Sequence, residues 1–260
     1  MNDICKKIRG DILKISHSSG HGHIPSCFSV VEALYSVYST MRHEPQNPRW
    51  EKRDIFVLSK GHAALAHYCV LAHFNYFDLK RVYAFGAFGS DFGCHADRTK
   101  VPGVEVSTGS LGHGIGVAAG VALGMKINRA KSRVYVLVGD GESNEGSVWE
   151  AVMVAVNRGL DNLTIIYDNN RSQGRGLQLK KPVEIFKAFG CDAFEVDGHN
   201  VDMLCQALSA ESERVKAIVA NTVKGFGCKT LTDDHYQWHR RSPSREELIK
   251  MLEELDEKAV

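Results

Sequence analysis

The sequence predicts an α/β protein, a parallel sheet with helices on both faces, folded as one domain over residues 1–260. Three observations carry that expectation. Short apolar runs typical of buried strands recur at 54–58 (DIFVL), 134–138 (VYVLV), 163–167 (LTIIY) and 215–220, with a shorter one at 193–196. From residue 134 onward these runs alternate with helical segments, the pattern of strand–helix–strand units in a sheet covered on both sides. The chain, 260 residues and 43% hydrophobic, can enclose a substantial core, and no internal repeat, low-complexity tract or proline-rich linker divides it.

Taken in order, Ile4, Ile8, Ile12 and Ile15 fall at helical spacing, so the chain opens with an amphipathic helix. Val30, Val31, Leu34 and Val37 mark a second helix that begins near Ser26 or Ser29. The strand Asp54–Leu58 runs into Ser59-Lys60-Gly61-His62 and then an apolar helix from Ala63 to about Phe74. From Tyr83 to Gly109 periodicity is poor and glycine frequent, which predicts a long ordered loop; loops of that length are usually functional. A small-residue helix follows from Gly112 to about Asn128, and then the strand–helix alternation. At the end, Ser244 with Glu247 forms a capping-box pattern. Leu248, Met251, Leu252 and Leu255 give that last helix, about 244–258, one apolar face for packing on the domain or on a partner.

Composition excludes several classes of function. A net charge of +1 and a pI near 7.7 supply no overall attraction to nucleic acid or a charged membrane. The longest small-apolar stretch, Val117 to Met125, is too short to span a bilayer, and the charged N-terminus contains no signal-peptide core. Seven cysteines, an odd number without CxxC spacing, suit reduced thiols in a cytoplasmic protein.

The most informative segment is Gly139-Asp140-Gly141, directly after VYVLV. Ligands of parallel sheets bind at the carboxyl ends of strands, and flanking glycines let a phosphate approach the backbone. Glu145-Gly146 then opens a helix whose first amides favour an anion. Thirty residues after Asp140, at the end of LTIIY, stands Asn170 in Asp168-Asn169-Asn170. A carboxylate and an amide oxygen at two strand ends suit a hard cation, magnesium or else calcium or manganese, whose coordination phosphate oxygens complete. A carbonyl just beyond, that of Ser172, is the candidate third protein ligand. GDG alone is more often a turn; GDG, helix, strand and NN in one unit is a site.

GDGESNEGSVWEA with IIYDNNRSQGRG resembles the thiamine diphosphate fingerprint as it occurs in transketolases. SGHGHIPSCFSVVEALY, FVLSKGHAAL, VPGVEVSTGSLGHGIGVAAGVALG, VDGHN, and KGFG followed by WH agree in order and spacing, from about residue 10 to residue 240. The resemblance implies the thiamine diphosphate-binding fold, in its diphosphate-binding domain, with thiamine diphosphate and magnesium as cofactors. It implies transfer of a two-carbon ketol unit from a ketose to an aldose, the substrates being sugars or sugar phosphates.

By the same resemblance His23, His62, His95 and His239 line the cofactor and the donor sugar, where imidazoles can donate hydrogen bonds and move protons near neutral pH. His23 is preferred to His21, because it leaves Phe28, Val31 and Leu34 in the family's helical register. Gly109, Ser110 and Leu111 match the loop that holds the bent cofactor, and Gly139, Gly141, His62 and His239 join its binding set. Glu145 matches a family glutamate buried at the dimer interface, while as a helix-first carboxylate it would also suit the dipole. His113 reads as a helix-start residue, His199 as a turn residue, and His67 and His73 as structural. Cys94 and Arg240 depart from the glycine or proline usual at their positions, which bears on the shape of the substrate channel.

Transketolases continue beyond such a domain with a pyrimidine-binding domain and a C-terminal domain, and the glutamate that activates the cofactor belongs to that later part. The resemblance therefore implies a split enzyme: this chain as the N-terminal subunit, a second polypeptide carrying the pyrimidine-binding domain, and a two-plus-two heterotetramer. The α subunit of a 2-oxo acid dehydrogenase shares the fingerprint, but the histidine-rich segments argue against it. A non-catalytic subunit retaining the fold is the remaining alternative.

Overall fold

Side chains of a strand point alternately to opposite faces, so a continuous apolar run supplies both. The computed structural model, which describes residues 1–256, shows where each set goes. Strands β1 (Ile55–Leu58), β2 (Val134–Gly139), β3 (Leu163–Asn169), β4 (Asp192–Asp197) and β5 (Lys216–Asn221) form one sheet in the order β1-β2-β3-β5-β4. Every neighbouring pair is parallel, with Val134 opposite both Ile55 and Leu163, and Lys216 opposite both Thr164 and Asp192.

Val134, Val136 and Val138 of β2 join Ile165 and Tyr167 of β3 on one face, under α5 (His113–Ile127), α6 (Gly146–Asn157) and α7 (Pro182–Ala188). Tyr135 and Leu137 turn to the other face, with Phe56, Leu58, Ile166 and Ile218. That face is covered by α1 (Asp3–Ser19), α2 (Ile24–Phe28), α3 (Val31–Thr40), α4 (Ala64–His73) and α8 (Val201–Ser209), with α9 (Lys229–Asp233) and α10 (Arg245–Asp256) at its margin. Each fully buried valine or leucine contributes about 1.5–3 kcal/mol, so two continuous layers account for the sheet's burial. Among the described residues no helix is long and apolar enough to cross a membrane, and all seven cysteines are free.

The single helix expected from Ser26 or Ser29 is two helices. Pro25 suits the first turn of α2, and the Ser29 hydroxyl turns inward to donate to the Ser26 carbonyl at 3.1 Å and to the Asp168 carboxylate at 2.9 Å. The chain then restarts at Val31 as α3. The long loop is ordered as expected, pinned by buried Phe85, Phe92, Val101 and Val104, although Leu79–Ala84 is a 3₁₀ turn.

At the C-terminus the capping box forms in both directions. The Ser244 amide donates to the Glu247 carboxylate at 2.8 Å, and the Glu247 amide to the Ser244 hydroxyl at 3.3 Å. α10 packs on its own domain: Met251 and Leu255 are buried, and Leu252 lies against Gly10 of α1. Residues 257 and 258, included in the expected helix, lie outside the described residues. α5 is apolar around its circumference. Ile115, Ala118 and Ala122 face the sheet, whereas Val117 is 44% exposed beside Gly116, Gly120 and Gly124, which have open space around them.

Candidate active site

Because β2 and β3 are neighbours in register, Gly139 stands opposite Asp168, and the residues that follow each strand meet at one edge. Asp140 Oδ1 accepts hydrogen bonds from the Gly141 amide at 2.7 Å and from the Ser172 hydroxyl at 2.5 Å. Asn170 Oδ1 accepts from the Ser172 amide at 2.9 Å, so Ser172 links the two side chains. Asn170 Nδ2 donates to Asp168 Oδ2 at 2.7 Å and to Ser29 Oγ at 3.2 Å, which fixes the amide with its oxygen toward Ser172.

Asp168 is the knot behind them. Lys60 Nζ donates to it at 2.6 Å and Thr222 Oγ1 at 2.5 Å, so the segments leaving β1, β3 and β5 are tied at one buried carboxylate. Glu142 does the same for the next layer. It accepts from Ser59 Oγ at 2.5 Å, from the Gly112 amide at 3.0 Å and from the Gly139 amide at 3.1 Å. Burial pushes its carboxyl upward, and those three donors oppose the shift.

A cavity of about 310 Å³ opens over these strand ends. Of the residues singled out from sequence, His23, His62, His95 and His239 line it, together with Gly109, Leu111, Gly139, Asp140, Gly141, Asn170 and Ser172. Two of the glycines stand close to the groups that line it. A Cβ on Gly141 would stand 2.3 Å from the side-chain Nε2 of Gln173, which would have to move aside; at Gly109 the backbone itself, with φ +148°, favours glycine, and a Cβ would stand 3.2 Å from the His95 ring.

Ser110 and Glu145 do not line the cavity; both side chains are exposed. The reason for Glu145 is the 3₁₀ turn Glu142–Asn144, which carries the chain away from the end of β2 before α6 begins. The first residues of α6 therefore miss the cavity too, and Glu145 makes no side-chain cap to its helix. His21 and His113 are exposed outside it, His113 as the first residue of α5. His67 is buried in the core, its Nε2 2.7 Å from the Tyr38 hydroxyl.

The histidine wall has a different character. The rings of His23 and His62 lie 5.5 Å apart, those of His23 and His239 5.1 Å, and those of His62 and His239 6.5 Å. Burial lowers the affinity of all three for a proton, and neighbouring basic groups add to it: the His239 ring when protonated and Arg240 for His23, Lys60 for His62, Lys224 for His239. His23 falls to about 4, and His62 drops well below the ordinary range. These are neutral imidazoles at pH 7.

Sequence patterns missed Lys60, Asp168, Glu142, Gln173 and Lys224. Lys224, in KGFG, lines the cavity with only 5% of its surface exposed. Burial and the nearby Lys60 lower its ammonium to about 8. A lysine that lines the same cavity as a strand-end carboxylate and amide oxygen makes a set that an anionic group with a divalent cation would complete. The one signal available for it was a lysine inside a segment of otherwise matching motifs.

Residues 2–254 match the family described as "Transketolase, thiamine diphosphate binding domain". The chain belongs to the transketolase family. It carries that family's thiamine diphosphate-binding domain, as the fingerprint implied. It is 37% identical to the transketolase of Homo sapiens over 98% of this chain and 42% of that relative. It is 36% identical to an apulose-4-phosphate transketolase subunit of Actinobacillus succinogenes, over 96% of this chain and 94% of that relative. The crystal structure of transketolase from Campylobacter jejuni superposes with a TM-score of 0.88 at 28% identity, over 98% of this chain and 43% of that one. The chain thus spans about two fifths of the length of the transketolases it matches and nearly all of the relative that is named as one subunit.

Proposed function

We propose that this chain is the diphosphate-binding subunit of a split, thiamine diphosphate-dependent transketolase that moves a two-carbon ketol unit from a ketose donor to an aldose acceptor. The observation that carries it is the Asp140–Ser172–Asn170 strand-end unit lining one cavity together with Lys224 and the histidines His23, His62, His95 and His239. The near-complete span of a relative whose own name makes it one subunit of a transketolase supports the division into two chains, and that name supports sugar phosphates as substrates. A second polypeptide would supply the pyrimidine-binding domain, in a two-plus-two assembly. The exposed Val117 and the open glycines of α5 suit such a contact. Seven free thiols suit a reducing cytoplasm.

In this reading Asp140, Asn170 and the Ser172 carbonyl hold magnesium, which calcium or manganese can replace, and Lys224 and His62 face the diphosphate. Thiamine diphosphate, when bound, supplies a carbon nucleophile and an electron sink for cleavage of the carbon–carbon bond. Gly109 and Leu111 form the wall against its rings, and Ser110 between them is the third residue of that loop. His23, His62, His95 and His239 orient the donor sugar. Because His23, His62 and His239 are neutral, each can donate one hydrogen bond to a hydroxyl or phosphate oxygen and accept a proton at its other nitrogen. Glu145, exposed in the single chain, is placed for contact with another subunit rather than for chemistry in this cavity.

The test is an assay of ketol transfer by the purified chain, by its candidate partner, and by the two mixed. Activity only in the mixture, lost with Asp140→Ala, is the expected result. Full activity of this chain alone would overturn the split, and turnover of 2-oxo acids with a lipoyl acceptor would replace the reaction.

A further inference from the structure

We propose that His199 is a positioning residue: it holds the segment Val223–Phe226 in the shape that turns Lys224 into the cavity. This rests on the reading of Lys224 as a ligand of the diphosphate.

The sequence suggests only a turn residue, but His199 is held at both ring nitrogens. Its Nε2 lies 2.8 Å from the Val223 amide, and its Nδ1 lies 3.1 Å from Glu32 Oε2. A backbone N–H can only donate, so Nε2 accepts from Val223 and the ring proton is on Nδ1, donating to Glu32. Glu32 is fixed in turn. Arg9 grips it through two hydrogen bonds of 2.5 and 2.6 Å, both side chains fully buried, and Arg9 also donates to the Phe28 carbonyl at 2.8 Å. Burial acts to raise the Glu32 carboxyl, yet Arg9 and His199 bring it down to about 2, so it remains an anion able to orient the imidazole.

The segment has two more fastenings. The His199 ring stacks on Phe226 with centroids 3.6 Å apart and an interplanar angle of 10°. The Gly225 amide donates to the Pro25 carbonyl at 3.1 Å. Lys224 stands between these holds, whereas Val223 beside it is 48% exposed. A lysine on a free loop keeps its ammonium in water, so an ammonium directed into a cavity requires a constrained backbone on either side. His199 supplies that constraint on both flanks. A buried Arg–Glu pair is weak evidence for stability, and orientation of a third group is a use that its geometry supports here.

The experiment is a double-substitution cycle on the full chain, with inorganic pyrophosphate plus magnesium as the probe and its affinity measured by calorimetry. His199→Phe keeps a ring for Phe226 and removes the acceptor for Val223. Affinity is expected to fall about tenfold, the lower end of the roughly 10–100-fold typical of groups that orient a ligand-binding side chain. His199→Gln, which restores an acceptor, is expected to recover most of the loss. In a Lys224→Ala background His199→Phe is expected to change nothing further. Losses that multiply in the double variant, or a His199→Gln no better than His199→Phe, would overturn the positioning role while leaving Lys224 as a ligand. An unchanged affinity in Lys224→Ala alone removes the reading of Lys224 and the positioning role with it. If His199→Phe does not fold, His199→Asn, too short to reach the Val223 amide, serves in the same cycle with the same expected outcomes.

Discussion

The two walls of the cavity are built on opposite plans. On the strand-end wall the side chains that follow β2 and β3 are tied in one chain of hydrogen bonds: Asp140 to Ser172, Ser172 to Asn170, Asn170 to Asp168, and Asp168 to Lys60 and Thr222. On the histidine wall the rings of His23, His62 and His239 touch one another at 5.1–6.5 Å and open on the cavity. The first wall is held by its own hydrogen bonds, the preorganisation that the proposed cation site would need to keep oxygen atoms at fixed spacing. The second is uncharged and uncommitted, as suits groups that exchange hydrogen bonds and protons with a substrate. Substitutions should therefore separate the walls: on the first they lower stability or affinity, and on the second they lower turnover.

The largest effect is expected at the knot. Lys60→Met leaves Asp168 buried without its cation and should lower unfolding free energy by about 3–5 kcal/mol in urea titrations. A loss below about 1 kcal/mol would mean the strand-end wall is not held as described. Next, Asp140→Ala should weaken magnesium-dependent binding of thiamine diphosphate by more than the roughly 100-fold that outer ligand-orienting groups can cost, with a much smaller change in melting temperature. On the other wall, His23→Asn should reduce kcat of the assembled enzyme about 100-fold while unfolding free energy shifts by about 0.5 kcal/mol or less. A melting point that collapses in His23→Asn would erase the contrast between the walls.

Acid stability gives a further comparison. Buried His67 falls to about 3 and His23 to about 4 in the folded chain, against about 6.5 for an unfolded histidine. As pH drops below 6.5 the unfolded chain takes up these protons first. Stability is thus fully present above that range and declines progressively toward pH 3–4. His23→Asn should flatten the decline, as read from urea midpoints between pH 7 and 4. The smallest effect is at the far end of the chain, where Ser244→Ala should cost about 1 kcal/mol through the capping box alone and leave cofactor affinity unchanged.

The same contrast explains what the sequence disclosed. Strands such as VYVLV and LTIIY were legible because strands buried on both faces read as continuous apolar runs, and Asp140 and Asn170 because they directly follow two of those strands. The extra helix break at Ser29 was not, since it depends on an Asp168 that is 139 residues away. Lys60, Lys224 and Asp168 were missed for a related reason. Lysine and aspartate are exposed by default, and their burial becomes evident only when Ser29, Lys60 and Thr222 converge on one carboxylate in space. An acid at the end of a buried apolar strand, as in IIYDNN, was the available hint. The three-residue turn Glu142–Asn144, invisible in periodicity, is why the first amides of α6 miss the cavity although the sequence placed them after a strand end.

Calorimetric titration of thiamine diphosphate into the chain and its partner, with magnesium and then with a chelator, addresses the strand-end wall most directly. Tight association with magnesium, lost in chelator and equally lost in Asp140→Ala, is the expected result. Equal affinity in all three conditions would contradict a cation held between Asp140 and Asn170.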